Sequence, residues 1–377
     1  MKNEFNDLLN MVNSLSEEEK QALIDKVMDM MQKPAKRNAV NCNEAISSQV
    51  LADSIPDCPH CHAKHSLGFV VKRGKENGTQ RYYCKSCRRS FVATTSTAFE
   101  RSRKDFETWN KFIELTISGC SLKKCAATCK IAYQTAFIWR HKILNAFRVH
   151  QESMSMSGKI QLDEMLIPIS YKGNHIKGGF DEKRKAFYGY DNGLPRKSFK
   201  RGTDNKSTSS KDKACVFCMI KNGNEAFYAS VPGVGFMQNN MLDKTIGKHV
   251  KKETSLILAD QYKVTERYLI NNDYDYVVLA GNTSDNYHDH KPEIRDGNHL
   301  QHVNALHMHI RRFLSTYCGV STKFLENYVS LYIWLKNVAA NKAEKRIQKA
   351  SVSLIGSSDC YISKENIKAM PAVPMCA

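Results

Sequence analysis

The chain has 377 residues, 42% of them hydrophobic, which suffices for two or three domains with a sizeable core and excludes a wholly disordered protein. Its 56 Lys and Arg against 38 Asp and Glu give a formal charge of +18, which points to a polyanionic partner, with nucleic acid ahead of a membrane surface. The opening "MKNEFNDLLNMV" has no apolar core of the kind a signal peptide needs, and no window holds about eighteen consecutive apolar residues, so a soluble, cytoplasmic protein is expected.

Residues 1–40 read as acidic amphipathic helices, with Phe5, Leu8, Leu9 and Val12 on one face and Ser16 capping a second helix. An aperiodic linker leads into residues 55–95. There Cys58 and Cys61 form one CxxC pair and Cys84 and Cys87 another, separated by the strand-like runs "GFVV" and "RYYC" and the turn former "GKENG". Thirteen cysteines, several of them so paired, favour metal binding over disulfides in a reducing compartment. The spacing predicts a zinc ribbon in which four thiolates close a structural Zn²⁺ site; the bland alternative is two buried cysteine clusters. His60, His62 and His65 are spare ligands beside a shell that four cysteines already fill.

Residues 104–150 switch to helical period: "DFETWNKFIELTISG", a serine-capped "SLKKCAATCK", and "QTAFIWRHKILNAF". Three short helices with a tight turn between the last two predict a helix-turn-helix-like module presenting Gln134, Thr135, Arg140 and Lys142 to DNA, with a plain three-helix packing module as the alternative. Cys120, Cys125 and Cys129 read as small core residues.

Over residues 158–340, "KIQLDEMLIPIS", "ACVFCMIKNG" and "NEAFYASVPG" predict three consecutive strands, "NMLDKTIGKHV" a helix, and "TSLILAD" and "DYVVLAG" two short buried strands. This is a mixed α/β sheet, with Cys215 and Cys218 in its core. Between the first two strands lies a basic loop containing Lys197, Lys200 and Arg201, a candidate DNA-binding element. Asp163, with Glu164 beside it, interrupts one strand that should be buried, and Asp260 ends another at its carboxyl end, where open α/β sheets place their sites. Asp260 is equally readable as the cap of the helix that follows. In "HLQHVNALHMHIRRFL", Val303, Leu306, Ile310 and Phe313 form an apolar stripe and Asn304, His307 and Arg311 a polar one. No acid or cysteine completes a metal shell around His299, His302, His307 and His309, which therefore read as a polar face near DNA. Residues 341–377 read as a basic C-terminal tail.

"LDEMLIP", the later "LILADQY" and "HVNALHMHIRRFLSTYCGVSTKFLENYVSLYIWLKN" resemble the bacterial insertion-sequence transposases that carry an N-terminal zinc ribbon on a DDE-type catalytic domain, and "TAFIWRHKIL" is similar to that family's helical region before the catalytic domain. The resemblance runs from about Cys58 to about Asn337. It implies a ribonuclease H-like sheet on which Asp163 and Asp260 bind Mg²⁺ or Mn²⁺, and DNA as partner, both the element's terminal inverted repeats and a target. In this branch the third position is commonly asparagine on a helix with a basic residue seven positions later, which Asn304 and Arg311 match. An asparagine carbonyl is an acceptable hard ligand, though weaker than a carboxylate, and His307 is the next choice. Glu326, the nearest downstream carboxylate, fits a packing helix better. Two ions held by shared carboxylates would stabilise attacking and leaving oxygens during end cleavage and strand transfer of the 3′ hydroxyl, with Arg311 against a phosphate. The resemblance further implies a homo-oligomer on DNA and a nucleoid-associated location. Two competing functions remain open: a DNA-binding regulator that has lost catalysis, and a nuclease without strand transfer.

Overall fold

A computed structural model describes residues 16, 55–76, 79–170, 172, 213–221, 225–279, 297–317, 319–341 and 347–371. The helices expected at the N-terminus and the loop with Lys197, Lys200 and Arg201 lie outside them.

The first unit is a three-stranded antiparallel sheet of β1 (Val70–Glu76), β2 (Thr79–Cys84) and β3 (Ser90–Val92), with β2 central. Its own core is only Cys58, Val70, Tyr82, Cys84 and Phe91, too few side chains to hold a sheet of this size unaided. Three helices follow: α1 (Phe106–Ile117), α2 (Leu122–Thr128) and the long α3 (Tyr133–Glu152). Asp105 caps α1, accepting from the Thr108 amide at 2.7 Å, and Ser121 caps α2 through the Lys124 amide.

The main sheet contains β4 (Met156–Pro168), β5 (Lys213–Lys221), β6 (Phe227–Val234), β7 (Val250–Asp260) and β8 (Asp275–Leu279) in the order β6-β5-β4-β7-β8. The first three strands are antiparallel neighbours; β4, β7 and β8 run parallel. The helix expected between β6 and β7 is a short turn, α4 (Asn239–Leu242), continuing as a π-helical turn over Asp243–Gly247. Tyr268 of α5 (Lys263–Asn271) donates its hydroxyl to Asp243 there at 2.8 Å, and a Cβ on Gly247 would meet the Tyr268 hydroxyl oxygen at 2.8 Å, so a side chain there would displace that hydroxyl.

Alternation along the strands sends two sets of side chains to opposite faces. Ile160, Leu162, Phe217, Met219 and Ile257 meet α4 and α5. Met165, Val216, Cys218, Ile220, Ala229 and Val231 share a second core with α1–α3, α6 (Gln301–Ser315) and α7 (Leu325–Ala340). The helical module and the sheet therefore form one core where two domains, 104–150 and 158–340, were expected. Asn337 of α7 clamps the start of β6, accepting from the Phe227 amide at 2.8 Å and donating to the Phe227 carbonyl at 2.9 Å.

The region expected as a basic tail is also folded where described: α8 (Ile347–Ile355) and α9 (Lys364–Ala369) return to pack on α1 and α3. Ile355 and Ile367 are fully buried, and Asn145 of α3 donates to the Cys360 carbonyl at 3.0 Å. The basic composition of this segment conceals an apolar face at helical spacing.

Candidate functional site

Two sites emerge, one of thiols and one of carboxylates. In the small sheet, Cys58, Cys61, Cys84 and Cys87 bring their sulfurs within 4.8 Å of one another. Sγ of Cys58 lies 3.6 Å from that of Cys87, and Sγ of Cys61 lies 3.6 Å from that of Cys84. A tetrahedral ion with about 2.3 Å bonds to sulfur needs edges of about 3.8 Å, so the cluster fits zinc. The two CxxC loops are built alike. His62 after Cys61 and Arg88 after Cys87 both take left-handed φ, 56° and 57°, which turns each loop tightly enough for backbone amides to face the sulfurs. The Ala63 amide does so for Cys61 and pulls its thiol down to about 6, a thiolate at neutral pH as a metal ligand must be. Burial drives Cys58 the other way, up to about 12, a cost that a bound cation would reverse.

The carboxylates lie on the main sheet. The β4–β7 register pairs Gly158 with Ser255 and Gln161 with Leu258, a constant offset that sets Asp163 level with Asp260 on the adjoining strand. Parallel neighbours lie about 4.8 Å apart and matched residues share a face, so both aspartates project toward α6. That helix runs alongside β4: the Val303 amide donates to Gln161 Oε1 at 3.2 Å, His307 Nδ1 lies 3.8 Å from Asp163 Oδ2, and Arg311 Nη2 donates to the Leu166 carbonyl at 3.4 Å. Asn304 is exposed one turn before His307.

Burial is the main cause of the acids' electrostatics. It raises Asp163, helped by the charge of Asp260, to about 7, against the pull of the Glu164 amide donating at 2.8 Å. Burial and then the charges of Asp163 and Asp260 push Glu164 to about 8. Asp260 is raised by burial as well, opposed by the Tyr262 amide at 3.2 Å. Asp260 thus also supports the turn into α5, but it does not cap that helix, whose N-cap position is Tyr262 without a side-chain cap. Burial, with Arg311 nearby, lowers His307 to about 4. At neutral pH it is uncharged, its contact with Asp163 is no ion pair, and its buried Nε2 has no hydrogen-bond partner among the described residues. Asp163 and Asp260, desolvated and level on one face beside a neutral histidine, are a donor pair that would suit a divalent cation, which would restore their ionised forms; Glu164, adjacent in the strand, points to the opposite face. Among the described residues only the cysteines draw three or more ligand atoms within 4.8 Å, so the carboxylate site is looser than the thiol one.

The structure sets Asp163 level with Asp260 and places His307 of the α6 stripe beside Asp163, with Arg311 reaching Leu166 of the same strand and Asn304 exposed. It does not group the residues expected to read DNA from α3. Gln134 is exposed and Thr135 half-buried in the first turn of that helix, but Arg140 is 1% exposed and donates to the Cys120 carbonyl at 2.7 Å and to Cys125 Sγ at 3.2 Å. Lys142 is half-buried and donates to the Ala98 carbonyl at 3.2 Å. The reason is that α3 is buried around much of its circumference and Arg140 and Lys142 satisfy carbonyls of neighbouring turns. Glu326 lies in the first turn of α7, where the Val231 amide of edge strand β6 donates to it and Arg148 faces it, two strands away from Asp163. Glu164 was visible as half of an acid doublet in a strand, yet its electrostatic tie to Asp260 needs the β4–β7 pairing.

No family model matches the chain. A protein of Halobacterium salinarum described as an uncharacterized protein in transposable element ISH50 is 22% identical over 289 residues, covering 73% of this chain and 83% of that protein. The chain is thus distantly similar to a protein encoded in an insertion element. Among the described residues, no helix is long and apolar enough to cross a membrane.

Proposed function

We propose that this chain is a DDE-type DNA transposase with a structural zinc ribbon, cleaving insertion-element ends and transferring the exposed 3′ hydroxyl to target DNA. The observation that carries the proposal is the level pairing of Asp163 and Asp260 on adjoining parallel strands beneath α6. Three antiparallel strands followed by two parallel ones, in the order β6-β5-β4-β7-β8, support reading this mixed sheet as ribonuclease H-like. The similarity to a protein of transposable element ISH50 and the charge of +18 support DNA as substrate.

In this scheme Asp163 and Asp260 would hold Mg²⁺ or Mn²⁺, which when bound would supply activation of the attacking water and stabilisation of charge on the leaving oxygen. Asn304, exposed on the stripe with His307, supplies a carbonyl ligand. Arg311, one turn beyond His307, stabilises the phosphate. His307, buried and neutral, packs beside Asp163. The ribbon and the first turn of α3, with Gln134 and Thr135, contact the DNA end, and two copies act together on paired ends.

A labelled duplex carrying the element's end, incubated with Mg²⁺ or Mn²⁺, tests the scheme. Cleavage and joining should require the metal and vanish in Asp163→Ala and Asp260→Ala; Asn304→Asp should retain cleavage that Asn304→Ala loses. Cleavage persisting in Asp163→Ala would remove the carboxylate site from the reaction, and near-normal cleavage by Asn304→Ala would shift the ligand role to His307.

A further inference from the structure

The helix that carries Asn304 and His307 has no cap of its own. Leu300 occupies the N-cap position of α6 and offers no side-chain oxygen, so the first amides of the helix need acceptors from elsewhere. His299 Nδ1 accepts from the Gln301 amide at 3.3 Å, and the third helical amide, that of the fully buried Val303, donates to Gln161 Oε1 at 3.2 Å, across 142 residues of sequence. Gln161 is itself 1% exposed within β4, where an apolar side chain is the ordinary choice. Strand alternation puts Lys159, Gln161 and Asp163 on one face. Lys159 Nζ donates to Asn298 Oδ1 at 2.9 Å just before the helix, and Asp163 Oδ2 lies 3.8 Å from His307 Nδ1. Two strand residues advance about 6.6 Å and four helical residues about 6 Å, so the step from Gln161 to Asp163 matches the step from Val303 to His307.

We propose that Gln161 is a positioning residue for the metal site: it caps α6 from the neighbouring strand, sets the register of that helix on β4, and so holds the turn carrying Asn304 and His307 against Asp163. The inference rests on the reading of Asp163, Asp260 and Asn304 as ligands. Asn304 directly follows the tethered amide, and its own amide donates to the Leu300 carbonyl at 3.1 Å to close the first turn. Without an acceptor at position 161 the Val303 amide is buried unpaired, which favours fraying of that turn. A ligand carried there is then spread over several positions, and metal affinity falls.

The test uses the full-length, zinc-loaded protein with Gln161→Met, which keeps the length of the side chain and removes the acceptor, and Gln161→Glu, which keeps an acceptor oxygen. In Mg²⁺-free buffer, amide hydrogen exchange over residues 301–306, read by mass spectrometry, should be on the order of ten-fold faster in Gln161→Met than in the parent. Gln161→Glu should exchange at the parent's rate, and α7 should be unchanged in all three. Mn²⁺ titration followed by electron paramagnetic resonance should show a site that Asp163→Ala abolishes, with a dissociation constant that rises on the order of ten-fold in Gln161→Met. In an Asn304→Ala background the same substitution should add less than about two-fold, because the ligand that Gln161 places is gone. Unchanged exchange in Gln161→Met, or exchange that stays fast in Gln161→Glu, overturns the cap. Faster exchange at parental Mn²⁺ affinity, or a full loss of affinity added to that of Asn304→Ala, overturns the positioning role. A parent without an Asp163-dependent Mn²⁺ site refutes the ligand reading and the positioning role with it, while the exchange result still decides whether Gln161 caps α6.

Discussion

Asp163→Asn separates a desolvated metal ligand from an ordinary buried polar group. In the folded protein the Asp163 carboxyl lies at about 7, against 3.8 for a free side chain, because burial and the charge of Asp260 disfavour its ionised form. Between those values the folded chain binds more protons than the unfolded one, so stability declines as pH rises through the window from about 4 to about 7. Three pKa units correspond to about 4 kcal/mol, an order-of-magnitude figure for a carboxylate coupled to two others. The amide of asparagine cannot ionise. In Mg²⁺-free buffer that leaves zinc in place, Asp163→Asn should therefore be more stable than the parent at pH 8 and nearly equal to it at pH 4, as read by urea denaturation. It also relieves Glu164, whose second cause of elevation is the Asp163 charge. Millimolar Mg²⁺ should raise the parent's stability at pH 8 and leave the variant's unchanged. Equal pH dependence of the two proteins, or an equal response to Mg²⁺, would refute the desolvated-site argument.

Cys84→Ser should lower bound zinc, measured by atomic absorption, from one ion per chain and unfold the small sheet, whose core is too slight to persist alone. Arg140→Ala should destabilise the protein by about 2–4 kcal/mol in thermal or urea unfolding, since it strips a buried hydrogen bond from the Cys120 carbonyl, and should leave the salt dependence of DNA binding unchanged. Replacing Lys197, Lys200 and Arg201 together by Ala should flatten the slope of log K against log salt by about 3, one counterion for each lost phosphate contact; an unchanged slope would place those contacts elsewhere.

Features carried by short-range pattern were legible before any coordinates. The doubled CxxC spacing needs only a hairpin to bring its four sulfurs together, and "LDEMLIP" and "LILAD" betray acids in otherwise apolar strands. What was illegible depends on pairing distant in the chain. That Asp163 stands level with Asp260 follows from a parallel register across nearly a hundred residues, and Glu164 gains its significance from the same pairing. A cation such as Arg140 on a helix expected to face DNA looks solvent-facing until the partners that bury it are known: Cys120, Cys125 of α2 and Tyr328 of α7. Long-range contacts also turn the expected tail into core, since Ile355, Ile362 and Ile367 find their apolar partners in α1 and α3.

Charge operates on two scales here, and the two oppose each other. The net charge of +18 favours a polyanion within a Debye length of about 8–10 Å, whereas Asp163 and Asp260, where ionised, repel any phosphate at the site itself. A phosphate about 6 Å from one ionised carboxylate, at an effective dielectric of about 20, meets a repulsion of about 3 kcal/mol, roughly halved for a group that is half-protonated near neutral pH. On the proposed function, the divalent ion must therefore arrive before or together with the scissile phosphate. Without divalent ion, Asp163→Asn with Asp260→Asn should bind an element end several-fold more tightly than the parent by fluorescence anisotropy at fixed salt. With millimolar Ca²⁺, chosen to fill the site while discouraging turnover, the parent should regain that deficit and the variant gain little. A parent that binds as tightly as the variant without any divalent ion would mean that the bound phosphate never approaches the acids, and the catalytic assignment of Asp163 and Asp260 would fall with it.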